Sequence, residues 1–97
     1  MKVSIIIPSY NTEWLLEKNI PHVLKAQKNK KNNIAEIIVV DDASSDGSVN
    51  LLKKKSPEIK IVKHKINRGF SSSVNTGART SKGDLLVLLN TDVIPEE

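Results

Sequence analysis

Four short runs of aliphatic, mostly β-branched residues recur along this chain: Val3 to Ile7, Ile37 to Val40, Ile59 to Val62 and Leu85 to Leu89. Ile37 to Val40 and Leu85 to Leu89 are unbroken, and Ser4 and Lys60 interrupt the other two; runs this apolar lack the regular alternation of a half-exposed strand and fit strands covered on both faces. Between them lie segments with apolar residues at helical spacing. The first carries Trp14, Leu15, Val23 and Leu24, the second Val49, Leu51 and Leu52, and the third Phe70, Val74 and Ala78. Strands alternating with helices demand right-handed crossovers and a parallel sheet. The chain is therefore expected to form a three-layer, Rossmann-like α/β fold with helices on both faces. Its 97 residues leave room for one domain, residues 1–97.

Local signals place the element ends. Pro8 is expected to stop the first strand, and Asn11 or Thr12 to cap the first helix. Pro21 predicts a kink or restart near Ile20, and the lysine-rich stretch Lys28 to Asn33 a surface loop. Pro57 ends the second helix, Gly69 opens the third and Gly83 closes it. Aromatic residues are 3% of the chain, so Ile, Leu and Val must fill the core.

Cysteine is absent, which excludes a disulfide framework, a thiol nucleophile and a thiolate metal site. No apolar run approaches the roughly 20 residues that span a bilayer, and Met1 leads straight into a strand pattern; a cytoplasmic location is the expectation. The net charge of +4 is concentrated in lysines at positions 25, 28, 30 and 31, at 53–55, and at 60, 63 and 65. Solvated helix ends account for such runs. The sharper reading is attraction to an anionic membrane surface or lipid phosphate. Nucleic acid is not the expected partner, because Tyr10, Trp14 and Phe70 do not interleave with the lysines.

The carboxyl ends of strands one, two and four carry Ser9 to Asn11, Asp41 to Asp46, and Asn90 to Asp92. Ligands of open α/β sheets bind at that edge. Two readings fit Asp41 to Asp46. Asp42 can accept a hydrogen bond from the imide nitrogen of a uracil or thymine ring while Asp41 or Asp46 shapes the loop; alternatively the cluster is a turn and helix cap. Asp92 is a hard oxygen ligand suited to Mg²⁺ or Mn²⁺ on a diphosphate, or else a turn residue. Arg68, near a helix start, favours an anion such as phosphate. Gly69 and Gly77 serve either turn and packing geometry or ligand contact.

Four blocks together resemble the family 2 inverting glycosyltransferases. They are Ser4-Ile-Ile-Ile-Pro-Ser-Tyr-Asn11, Ile38-Val-Val-Asp-Asp-Ala-Ser-Ser-Asp-Gly-Ser48, Asn67-Arg-Gly with Asn75-Thr-Gly, and Gly83-Asp-Leu-Leu-Val-Leu-Leu-Asn-Thr-Asp92. The resemblance covers essentially the whole chain, in order. It implies a glycosyltransferase A type fold with strand order 3-2-1-4, and the following roles. The backbone around Pro8, Ser9 and Tyr10 and the side chain of Asp42 hold the base of a nucleotide-diphosphate sugar. Asp41 lies beside them, Arg68 and Asn75 border the nucleotide, and Asn90 and Asp92 fall on the Asp-any-Asp motif, with Asp92 as ligand to Mg²⁺ or Mn²⁺. Asn90 stands where that motif usually has Asp, which makes the site less acidic. The Leu-Leu-Asn-any-Asp-Val version resembles a branch rich in bacterial rhamnosyltransferases, which points to a dTDP-linked donor beside a UDP-linked one.

Further expectations follow from the resemblance. The acceptor is a glycan or a lipid-linked glycan of cell-surface polysaccharide synthesis, with the full-length protein at the inner face of the membrane. An inverting transfer needs a general base, and in this family it lies well beyond the metal motif. These 97 residues are therefore expected to bind donor without transferring sugar. Leu85 to Leu89, apolar on both faces yet at a sheet edge, is expected to drive self-association. The competing class is a non-enzymatic α/β nucleotide- or Mg-binding regulatory module resembling a receiver domain. Receivers carry the acid pair after the first strand, whereas here it follows the second. His64, with no acidic neighbour in sequence, reads as a surface residue.

Overall fold

The computed structural model describes residues 1–90. Four parallel strands, β1 (Val3–Ser9), β2 (Ile34–Asp41), β3 (Lys60–Lys63) and β4 (Leu85–Leu88), lie in the order β3-β2-β1-β4. Three helices connect them: α1 (Glu13–Lys28), α2 (Ser48–Lys55) and α3 (Phe70–Thr80). The expected fold and strand order are both present. The layers follow from residue parity. Ile5 and Ile7 of β1 with Ile37 and Val39 of β2 pack against Leu16, Ile20 and Val23 of α1 and Leu52 of α2. The alternate residues Ile6, Ile38 and Val40 face Ala78 of α3. Each fully buried Ile, Leu or Val contributes about 1.5–3 kcal/mol, so the aliphatic core on the α1/α2 side is the larger share.

The α3 layer is thinner, and small residues make it so. Its buried positions are Ser73 and Gly77. A Cβ on Gly77 would collide with Ile6 Cγ2, so the glycine is there for close helix–sheet approach. Phe70, expected on the apolar stripe, is the first residue of α3 and is 56% exposed. Trp14 is likewise 68% exposed. The stripe that α1 buries is Leu16, Ile20 and Val23, spaced four and three apart, with Leu24 packed partly against it.

Several element ends differ from expectation. β1 continues through Pro8, which pairs in register with Val40. Ile6 O accepts from Leu89 N and Ser9 O from Asp42 N. Alternate residues point to alternate neighbours, so the missing N–H of Pro8 faces the β4 side, two residues past the last β1–β4 pair, Ile6 with Leu88. α1 runs through Pro21 without a restart; Pro21 is exposed, so the carbonyl that loses its partner lies on the solvent side. Lys30–Asn32 form a 3₁₀ turn where a loop was expected. The lysines divide by topology. Lys28, Lys30 and Lys31, Lys54 and Lys55 at the end of α2, and Lys60 gather toward the amino edge of the sheet, whereas Lys53, Lys63 and Lys65 line a cleft at the carboxyl edge.

Candidate functional site

The β1–α1 and β2–α2 loops are zipped together at the carboxyl edge. Asn11, held at φ 51°, accepts at Oδ1 from Ser45 N at 2.8 Å and from Asp46 N at 3.3 Å. Its own N–H donates to Ser44 Oγ at 2.9 Å. Asp46 then caps both helices: Oδ2 accepts from Glu13 N at 3.1 Å and Oδ1 from Ser48 N at 3.0 Å. Glu13 reciprocates by accepting from Gly47 N at 3.0 Å. The cap of α1 thus comes from the neighbouring loop. Neither of the residues expected to cap it does so: Thr12 makes no side-chain cap, and its hydroxyl pairs with that of Ser9 at 2.9 Å.

The two adjacent carboxylates face opposite layers. Asp41 is buried on the α1/α2 side, where Oδ2 accepts from Ser44 N at 3.0 Å and Oδ1 has no hydrogen-bond partner among the described residues. It lines a cleft of about 390 Å³ with Ser44, Asn50, Lys53, Lys63 and Lys65. An unpaired buried acceptor of this kind is costly unless water or a ligand donates to it.

Asp42 faces the α3 side and is also buried. Its Oδ1 pairs with His64 Nδ1 at 2.7 Å and accepts from Arg68 N at 2.9 Å, while Oδ2 accepts from Gly69 N at 2.8 Å. Burial pushes this carboxyl up, but the hydrogen bonds from His64 and from the Arg68 and Gly69 amides outweigh it and hold Asp42 below the usual carboxylate range. Gly69 sits at φ 95° with open space around its Cα, so its role is conformational: it lets the turn aim two successive amides at one carboxylate. His64 overturns its reading as a surface residue. Its side chain is 8% exposed, and Nε2 meets Thr76 Oγ1 on α3 at 2.8 Å. The acid partner lies 22 residues away in sequence, so only the β2–β3 pairing reveals it.

The structure brings Pro8, Ser9, Tyr10, Asp41, Asp42, Arg68 and Asn90 to one edge of the sheet. Ser9 is buried, whereas Tyr10 is half-exposed at the rim and the Arg68 and Asn90 residues are exposed. Asn75 is exposed on the second turn of α3, roughly 200° around the helix from the buried Ser73 and Gly77. Asp92 lies outside the described residues. Among the described residues no three His, Cys, Asp or Glu side chains gather closely enough to hold a metal ion. A magnesium-type cation needs only one or two protein ligands when phosphate oxygens and water complete its shell. The carboxamide oxygen of Asn90, at the end of β4, fits that sparser arrangement.

The sequence pattern of Glycosyl transferase family 2 matches residues 4–97. An undecaprenyl-phosphate 4-deoxy-4-formamido-L-arabinose transferase of Aeromonas hydrophila is 35% identical over 101 residues, covering 98% of this chain and 31% of its own length. The mannosyltransferase PcManGT from Pyrobaculum calidifontis, solved in complex with GDP-Man and Mn²⁺, superposes with a TM-score of 0.83 at 26% identity, over 96% of this chain and 28% of that one. TarS residues 1–349 of S. aureus, in complex with UDP-GlcNAc, gives 0.82 at 26% identity, over 95% and 27%. The chain spans less than a third of the length of the curated relatives it matches. With a match over nearly all its residues and the strand order that the resemblance implied, the chain belongs to glycosyltransferase family 2.

Proposed function

We propose that this chain is the donor-binding part of a glycosyltransferase that moves a hexosyl-type sugar from a UDP- or dTDP-linked donor to a glycan or lipid-linked acceptor in cell-surface polysaccharide synthesis. The observation that carries the reading is the state of Asp42. An ionised carboxylate offers about four acceptor positions. His64, Arg68 N and Gly69 N fill three, which leaves one on Oδ2 for the imide N–H of uracil or thymine. Tyr10 supplies a ring at the rim for the base to lie against, beside the Pro8 and Ser9 backbone. Two strand spacings, roughly 10 Å, carry a ligand from the β2 end to the β4 end, where Asn90 stands and Asp92 follows two residues later in the sequence. Arg68 borders its path, and Asp41 offers its open oxygen to a ligand hydroxyl.

A divalent Mg²⁺ or Mn²⁺ held by Asp92, two residues after Asn90 in the sequence, would neutralise charge on the leaving diphosphate. Proton removal from the acceptor needs a general base that we assign to no residue up to Glu97, so these 97 residues bind donor without transferring sugar. Among the described residues no helix is long and apolar enough to cross a membrane. We place the protein in the cytoplasm against the inner face of the membrane; the amino-edge lysines suit anionic headgroups. The regulatory-module alternative has no specific support beside the family match.

Calorimetric titration with UDP, dTDP and GDP, with and without Mn²⁺, tests the reading. UDP or dTDP should bind more tightly than GDP, and Asp42→Asn should weaken that binding about tenfold or more, the worth of one hydrogen bond to a charged group. Equal affinity for all three, or an unchanged affinity in Asp42→Asn, defeats it.

A further inference from the structure

We infer that His64 is the positioning residue of the base site, fixing which oxygen of Asp42 remains open to the imide. The inference rests on the reading of Asp42 as base acceptor. Three elements meet at this imidazole. β3 delivers the ring, β2 supplies Asp42 at 2.7 Å from Nδ1, and α3 supplies Thr76 Oγ1 at 2.8 Å from Nε2. Both side chains of the Asp42–His64 pair are more than nine-tenths buried, at 5% and 8% exposure.

The proton assignment follows from the partners. An ionised Asp42 can only accept, so Nδ1 carries a proton and donates; in the neutral ring Nε2 then accepts from the Thr76 hydroxyl. A hydroxyl can turn to accept instead, so the chain Thr76–His64–Asp42 stays bonded whether the ring carries one proton or two. The consequence for Asp42 is directional. Oδ1 is saturated by His64 Nδ1 and Arg68 N, leaving the free position on Oδ2 beside Gly69 N. Without the ring, Oδ1 keeps one backbone donor and gains an empty flank. The carboxylate can then turn or take water, and its aim at a ligand is lost before its charge is.

A residue that merely held the fold together would change stability and leave base discrimination alone. The test is therefore a ratio: the affinity for UDP divided by that for UDP methylated at the imide nitrogen, measured by titration on the folded full chain. The unsubstituted chain should favour UDP about tenfold or more. His64→Leu, similar in volume but without a donor, should bring the ratio below about threefold. His64→Asn, whose amide N–H falls where Nδ1–H stood and still donates toward Asp42, should retain most of it. Thr76→Val, which frees the far end of the ring, should lower it part way and decides the matter if His64→Leu does not fold. A chain that binds UDP with no such ratio removes Asp42 as base acceptor, and this inference with it. A normal ratio that survives intact in His64→Leu, or in Thr76→Val when that variant decides, overturns the inference alone.

Discussion

Asp46 serves two helices with one carboxylate, and its burden can be measured. A side-chain cap is worth about 0.5–2 kcal/mol, and here Oδ2 and Oδ1 answer the first-turn amides of α1 and α2. Asp46→Ala is expected to cost about 2 kcal/mol, a fall in Tm of roughly 8–16 °C for a domain of this size. Asp46→Asn, which can still accept at one amide, should lose less. An unchanged melting curve for Asp46→Ala would show that the caps do not limit stability. Half of this role was legible in the sequence, because Asp46 precedes α2 with cap chemistry of its own. The bond to Glu13 spans 33 residues and needs the two loops side by side. His64 was missed for the same reason. Trp14 was misplaced for a different one: a stripe built on the largest apolar residue ignored that Leu16, Ile20 and Val23 form a better-spaced set.

Elements were more legible than their partners. The four strands and three helices lie close to where the apolar runs and breakers predict them, because a short aliphatic run bounded by breakers has few other uses in a small α/β domain. Ends drifted where tertiary context overrides local chemistry, as at Pro8 and Pro21. Among the described residues β4 is the strand with the most exposed large apolar side chains. It pairs with β1 on one side, and Leu85, Leu86 and Leu88 are each exposed by more than two-fifths. Apolar strand edges recruit other strands. The 97-residue polypeptide is expected to associate with rising concentration in sedimentation velocity runs, and Leu86→Lys to return it to a monomer. Monomers of the unsubstituted chain at the highest soluble concentration would count against this role for β4.

At the scale of the whole molecule, the two edges of the sheet are each closed by a buried or half-buried carboxylate network, which makes acid a probe of both. At the carboxyl edge stand Asp42 and Asp46. At the amino edge Glu36 accepts from Ser4 Oγ at 2.6 Å and from Lys82 N, while Gly83 N donates to Ser4 Oγ at 2.8 Å, tying the α3–β4 connection to β1 and β2. For each acid, desolvation raises the pKa and its hydrogen bonds more than offset that. Glu36 is held down by Ser4 and the Lys82 amide, Asp42 by His64 and two amides, and Asp46 by the Ser48 side chain and backbone. Folded values below unfolded ones mean that the stabilisation is complete above the unfolded range near pH 4 and is lost as pH falls through the folded values. Each proton taken up on unfolding is worth about 1.4 kcal/mol per pH unit. Thermal melts should therefore show little effect of these three groups between pH 5 and 7, at about neutral conditions, and a steep loss below about pH 4. Glu36→Gln and Asp42→Asn should each flatten that acid limb, and because they sit at opposite edges without shared partners their effects should add. A limb as steep in the double variant as in the unsubstituted chain would mean that other groups set the acid stability, and that neither edge is closed by its carboxylate.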